Sequence, residues 1–191
     1  LCAGNSSRFE HKSKKQWLRI DNEPLWMHVT KRLSSFVDFN KIIVTSHKDE
    51  INYMTNFSDD FEFVVGGQTR QESIKNSLNK VTTSHVMITD VARSCIPRDV
   101  IINLLKEKDN ADCIVPTLKV SDTVIYNDST INRDQVKLIQ TPQLSNTNTL
   151  KNALSTNVEY TDDSSAIKAN NGTIKYVEGS TQSKKLTFGQ E

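Results

Sequence analysis

Short runs of β-branched and other apolar residues alternate along the chain with stretches whose apolar positions recur three or four apart. Strands are predicted at 41–46 (KIIVTS), 61–65 (FEFVV), 85–90 (HVMITD), 112–116 (DCIVP) and 173–178 (TIKYVE). Their centres are apolar on both parities, as strands covered on both faces should be. Helices are predicted between them. Asn22-Glu23-Pro24 offers a capping residue and an early proline, and Leu25, Val29, Leu33 and Phe36 follow at near-helical spacing. Residues 68–81 set Ile74, Leu78 and Val81 on one face. Residues 97–108 open with Pro97 and Asp99 and close on Lys106-Glu107-Lys108, matching the helix dipole. This alternation predicts an α/β fold: a Rossmann-like, mostly parallel sheet with helices on both faces.

The pattern changes over about 119–144. There apolar and polar residues alternate around Asn127-Asp128, a good turn pair, which predicts a β-hairpin. A hairpin inserted in a parallel α/β domain projects as an arm, and an arm with so little core of its own calls for a partner surface.

Composition narrows the choices. With 191 residues the chain reads as one ordinary domain, or at most a domain with a small appendage. A net charge of +1 gives no field to draw it onto nucleic acid or an anionic membrane, so neither is expected as a partner. No apolar run approaches the roughly 20 residues of a transmembrane helix. Cys2, Cys95 and Cys113 are widely spaced and odd in number, which points to a reducing, cytoplasmic compartment. The chain opens at Leu1 without Met or a signal-like segment, and reads as one whose first strand has lost its beginning.

Ligands of open α/β sheets bind beyond the carboxyl ends of the strands. The first such end is Leu1-Cys2-Ala3-Gly4-Asn5-Ser6-Ser7-Arg8, small residues that let backbone N–H groups approach a phosphate, closed by an arginine. It is neither G-x-G-x-x-G nor a P-loop, and a plain Gly/Ser turn is an equal reading. Lys15 follows in a lysine-rich run, which is more often a solvated face. The second end, Asp90-Val91-Ala92-Arg93, is either a helix cap or a magnesium ligand with an anion clamp. The third, Gly66-Gly67-Gln68-Thr69-Arg70 with Ser73 behind, is a turn or a surface for a flat base. The histidines stand at no ligand spacing. Trp17 and Trp26 read as packing residues, and Asp162-Asp163 as a helix start.

Taken in order, these features resemble the 2-C-methyl-D-erythritol 4-phosphate cytidylyltransferase family. The matching elements are Ala3-Gly4 to Arg8, Lys15-Gln16, Gly66-Gly67 to Ser73, Asp90-Val91-Ala92-Arg93, Asp122-Thr123, Thr141-Pro142-Gln143, Thr161-Asp162-Asp163, and Val177-Glu178-Gly179 to Lys185-Leu186-Thr187. The sequence departs from the family pattern at Ser6, Lys14, Gln68, Val91 and Ser94.

The resemblance implies a nucleotide-diphospho-sugar transferase type of fold, one domain over 1–191 with the arm at 119–140 inserted in it. It implies CTP and a sugar-alcohol phosphate as substrates, pyrophosphate as a product, and Mg2+ as cofactor with Asp90 the carboxylate nearest to it. Arg8, Lys15, Arg133 and Lys185 are the implied catalytic cations. Ala3, Gly4, Asn5, Gly67, Gln68, Ser73 and Asp90 would bind the nucleotide. Asp90, Arg93, Thr123, Thr141 and Thr161 would bind the acceptor. Arg133 lies on the arm, so a homodimer is implied in which each arm completes the other site. Some family members are fused to the cyclodiphosphate synthase of a later step, and the chain is compatible with the cytidylyltransferase part of such a fusion. Two alternatives stay open: a ribitol-5-phosphate cytidylyltransferase, and a non-catalytic dimeric nucleotide-binding domain.

Overall fold

The computed structural model describes residues 1–6, 9 and 13–187. A 3-10 turn, Lys15–Trp17, leads into two very short antiparallel strands, β1 (Arg19–Ile20) and β2 (Glu23–Pro24). Asp21 turns the chain between them with φ of 50°. Asn22 therefore belongs to this turn and does not cap the helix as the sequence suggests. The N-cap of α1 (Leu25–Ser34) is Pro24, whose ring fixes φ and which has no N–H to satisfy.

Next come β3 (Ile43–Ser46), α2 (Ile51–Thr55), β4 (Glu62–Val65), α3 (Arg70–Leu78), β5 (His85–Ile88), α4 (Arg98–Lys106) and β6 (Cys113–Lys119). The helix expected at 68–81 is trimmed at both ends to α3. It begins after Thr69, whose side chain accepts from the N–H of Glu72. The arm follows as β7 (Val124–Tyr126), β8 (Ser129–Ile131), a 3-10 turn at Arg133–Gln135, and β9 (Lys137–Ile139). The chain closes with β10 (Gln143–Asn146), α5 (Thr147–Ala153), α6 (Asp163–Ala169) and β11 (Ile174–Glu178).

The main sheet runs β11-β6-β10-β5, and β3 pairs in parallel with β4 beside it. The five predicted strands are all present. The unforeseen one is β10, which enters antiparallel between β5 and β6, so those two run parallel to each other without touching. Leu1 and Cys2 link the two parts: Leu1 lies along Thr89–Val91 just past β5, and Cys2 donates its N–H to the carbonyl of Thr45 on β3. An apolar cleft of about 490 Å³ runs on from them between β3 and β5, walled by Val29, Val44, Leu78, Val86 and Ile88.

Side chains alternate across β6 and so divide the core. Cys113 and Val115 pack with Ile74 and Leu78 of α3, Leu150 of α5 and Ile167 of α6. Ile114 packs on the other side with Val100, Ile101 and Leu104 of α4. A third cluster joins α1 to β3 and α2 around Trp26, which is fully buried and meets Phe57, Phe61 and Phe63 edge-on. Trp17 stacks obliquely on Tyr53 and Phe57. Both tryptophans are packing residues, as expected.

The arm has two tiers. At its base β9 pairs antiparallel with the end of β6, Thr117 opposite Ile139, and so extends the main sheet. At its tip β7 and β8 form the predicted hairpin, with Asn127 and Asp128 both left-handed (φ 48° and 59°). That is the type I′ geometry such a pair favours.

Candidate active site

Many of the predicted residues follow the carboxyl ends of β4, β5, β6 and β11. Beyond β4, Gly66 and Gly67 pack against two different neighbours. A methyl group on Gly66 would collide with Cβ of Ala3 and lie 2.9 Å from Oγ of Ser73; one on Gly67 would collide with Glu72. Ser73 Oγ accepts from the N–H of Gly67 at 3.1 Å, and Glu72 accepts from the N–H of Gln68 at 2.6 Å. Ala3, Gly67, Gln68 and Ser73 are thus gathered in one place. Gly66, read from the sequence as half of the Gly-Gly pair but given no binding role of its own, makes that approach possible.

The opening loop is tied down from below. Buried Gln16 donates to the carbonyl of Gly4 and to Glu50, each at 3.2 Å, and Lys14 pairs with Glu50 at 2.6 Å. Burial would push the Glu50 carboxyl up; bonds from Lys14, Gln16 and Trp17 outweigh this and hold it below the usual range. Ser6 takes φ of 55°, a conformation that costs a non-glycine residue about 1–2 kcal/mol, and its Oγ accepts from the N–H of Lys15 at 3.0 Å. Asn5 is exposed on the same loop. Arg8 lies outside the described residues.

Asp90, just past β5, is the electrostatic centre. Its Oδ2 accepts from Lys185 Nζ at 2.7 Å and its Oδ1 from Arg70 Nε at 3.4 Å. Burial alone would raise the Asp90 carboxyl; the charges of Arg70 and Lys185 outweigh it and bring it to about 2. It is not a helix cap: the next helix, α4, is capped by Pro97.

The segment 183–187 gathers the remaining cations. Arg93 donates to the carbonyl of Ser183 at 2.5 Å, and the N–H of Leu186 donates to the carbonyl of Ala92. Lys15 Nζ donates to the carbonyls of Leu186 at 2.6 Å and Thr187 at 3.2 Å. The motif pieces Lys15-Gln16, Asp90 to Arg93 and Lys185-Leu186-Thr187 therefore meet. Thr141 lies two residues before β10, whose first residue Gln143 pairs with Ile88 at the end of β5. Thr141 Oγ1 and Arg93 Nε are buried with no hydrogen-bond partner among the described residues.

Asp162 is the N-cap of α6, as the sequence suggests for the Asp162-Asp163 pair, and its carboxylate accepts from Ser164 and Ser165. Fully buried Gln143 of β10 donates to Asp162 at 2.8 Å and accepts from the N–H of Ser164 at 2.9 Å. Two of the motifs thus bind each other and fix the exposed Thr161 before the helix. Sequence reasoning quoted Arg70, Gln143 and Asp163 within motifs without giving them a role in the site, and missed Gln71. One signal was available, since a cation in the first turn of a helix needs anions nearby. Val91, a departure from the family pattern, belongs to the core around Trp26. Thr123 and Arg133 are exposed on the arm, where Arg133 donates to the carbonyl of Ser121 at 2.5 Å. Among the described residues, no hydrogen bond or ion pair joins either to the Asp90 cluster.

A glycine loop packed closely on Ala3 and Ser73, joined through Arg70 to a cluster of cations around one carboxylate at the strand ends, suits a nucleotidyltransferase of the nucleotide-diphospho-sugar transferase fold. The chain belongs to the 2-C-methyl-D-erythritol 4-phosphate cytidylyltransferase (IspD) family, whose model matches residues 1–191. It is 69% identical over 191 residues to a bifunctional enzyme IspD/IspF of Aliarcobacter butzleri, covering 51% of that protein. It is 53% identical over 188 residues to one of Campylobacter fetus, covering 50% of that protein. The chain thus spans about half the length of the curated relatives it matches. The bifunctional IspDF of Campylobacter jejuni superposes with a TM-score of 0.93 at 49% identity, covering 97% of this chain and 50% of that one. The 2-C-methyl-D-erythritol 4-phosphate cytidylyltransferase of Thermus thermophilus does so at 0.79 and 25%, covering 92% and 89%.

Proposed function

We propose that the chain transfers a cytidylyl group from CTP to 2-C-methyl-D-erythritol 4-phosphate, giving 4-diphosphocytidyl-2-C-methyl-D-erythritol and pyrophosphate in non-mevalonate isoprenoid synthesis. The observation that carries this reading is the meeting of Lys15, Asp90, Arg93 and Lys185 along the 183–187 segment. A phosphate oxygen of the acceptor attacks the α-phosphorus in line, and the bond to the pyrophosphate oxygen breaks. Such a step needs cations and donors held in place, not a protein nucleophile.

Lys15, with Arg8, stabilises the charge that builds at the α-phosphorus. Gly4 and Asn5 offer backbone donors, while Ala3, Gly67, Gln68 and Ser73 frame the cytosine. Asp90, Arg93, Thr141, Thr161 and Lys185 bind the acceptor, joined by Thr123 and Arg133 from the arm of a second subunit. The exposed Ile125, Tyr126 and Leu138 of the arm offer apolar surface that such a homodimer would cover.

Among the described residues no three His, Cys, Asp or Glu side chains are grouped to hold a metal. One ionised carboxylate, Asp90, is nonetheless compatible with magnesium, which commonly takes one or two protein ligands and completes its shell with phosphate oxygens and water. Bound there, the ion would neutralise charge on the triphosphate. The reading includes a cytoplasmic location, supported by the unpaired Cys2, Cys95 and Cys113. Among the described residues no helix is long and apolar enough to cross a membrane.

The test is pyrophosphate release from CTP with each of two acceptors. Turnover with 2-C-methyl-D-erythritol 4-phosphate and little with ribitol 5-phosphate is expected. The reverse preference would assign the ribitol enzyme, and CTP binding with no pyrophosphate from either acceptor would assign a non-catalytic nucleotide-binding domain.

A further inference from the structure

Arg70 opens α3, a place where an unpaired cation would oppose the helix dipole. Its guanidinium instead spans two carboxylates: Nη1 donates to Asp163 Oδ1 at 2.8 Å, and Nε reaches Asp90 Oδ1 at 3.4 Å. Asp163 opens α6 and its side chain is 1% exposed. Arg70 Nη2 and Asp163 Oδ2 are buried with no hydrogen-bond partner among the described residues, so the pair is held through Nη1 and Oδ1. The neighbouring Gln71 grips the same loop, donating to the carbonyl of Val158 at 2.9 Å and accepting from the N–H of Tyr160 at 3.0 Å. One end of α3 thus holds the loop that carries Thr161. The residues that gather beside Ala3, Gly66 to Ser73, lead into and begin the same helix.

We propose that Arg70 is a positioning residue for cytidylyl transfer. Anchored on Asp163, it fixes Oδ1 of Asp90, leaves Oδ2 to be shared between Lys185 and a ligand, and holds the nucleotide loop and the acceptor loop in one spatial relation. The inference rests on the proposed function and adds a residue that touches neither substrate. Only a guanidinium has two donors in a planar fork wide enough to hold both carboxylates at once. A lysine reaches one of them. Without the fork, Asp90 is free to turn and Thr161 to shift, and a misplacement of about 1 Å costs about 100-fold in rate.

The experiment compares Arg70→Met, Arg70→Lys and Asp163→Asn with the unaltered chain by steady-state kinetics, CTP calorimetry and thermal unfolding. Arg70→Met is expected to lower kcat about 100-fold and raise KM for the sugar phosphate about tenfold, with CTP affinity within threefold. Arg70→Lys should recover part of the kcat loss, and Asp163→Asn should raise the sugar-phosphate KM more than it lowers kcat. Should Arg70→Met fail to fold, the other two variants carry the test. The inference is overturned if the folded variants keep kcat and sugar-phosphate KM within threefold, or if CTP affinity falls in step with turnover. Absence of turnover in the unaltered chain would reject the functional reading instead. The clamp is then judged from a crystal structure of Arg70→Lys or Arg70→Met: Asp90 turned from Lys185 supports it, and an unmoved pair rejects it.

Discussion

Lys15 shows what a single residue gains from its surroundings. Its ammonium is held by the carbonyls of Leu186 and Thr187, and its backbone N–H by Ser6. A lysine run read from sequence alone is a solvated face; here two main-chain acceptors give one member a fixed direction. A preoriented cation acts on charge that appears only in the transition state. Lys15→Ala is therefore expected to reduce kcat by about 100- to 1000-fold while CTP affinity changes little. Arg8→Ala should behave in the same way. Steady-state kinetics beside calorimetry checks this, and a change confined to KM would remove both from the chemical step. Asp90 behaves differently. It is partnered on both oxygens, and its ionised state is secured by Arg70 and Lys185 against the cost of burial.

Among the elements, the arm is the one the rest of the subunit supports least. Its base continues the main sheet through β9, but the β7–β8 tip pairs only with itself among the described residues. Ile125 and Tyr126 are 68% and 66% exposed. A two-stranded ribbon of this kind is marginal alone in water. The proposed homodimer covers it and brings Arg133 to the neighbouring site. Arg133→Ala should then raise KM for the sugar phosphate and lower kcat, with CTP affinity nearly intact. Mixing Arg133→Ala chains with Lys15→Ala chains gives a sharper result. With crossed arms, a mixed dimer has one site bearing both changes and one bearing neither, so activity partly returns. If Arg133 serves its own subunit, every site keeps one lesion and nothing returns. Native mass spectrometry confirms the exchange in either case.

At the scale of the whole molecule, β6 organises the core, with Ile114 facing α4 and Cys113 and Val115 facing α3, α5 and α6. Ile114 is fully buried, so Ile114→Ala should lower unfolding free energy by about 2–5 kcal/mol, measured by urea denaturation. The five strands in the apolar runs, helices α1, α3 and α4, and the Asn127-Asp128 turn were legible because periodicity, capping and turn chemistry act over a few residues. The carboxyl-end location of the site followed from that alternation. Four features were not legible. β10 reads Gln-Leu-Ser-Asn, with no β-branched run, and is a strand because β5 and β6 flank it on both sides. Asn22 is a plausible cap that a tight turn claimed first. Gln143 is a polar residue whose full burial is possible only because Asp162 and Ser164 meet both ends of its amide. Arg70 looked like part of a glycine-rich turn until α3 and α6 brought Asp163 to it. Sequence by itself determined the apolar strands, helices α1, α3 and α4 and the arm's turn, because local backbone preference and hydrophobic period are short-range. Which polar groups are buried against which was decided by tertiary structure alone, because a charge is tolerated inside only where a distant partner compensates its lost water.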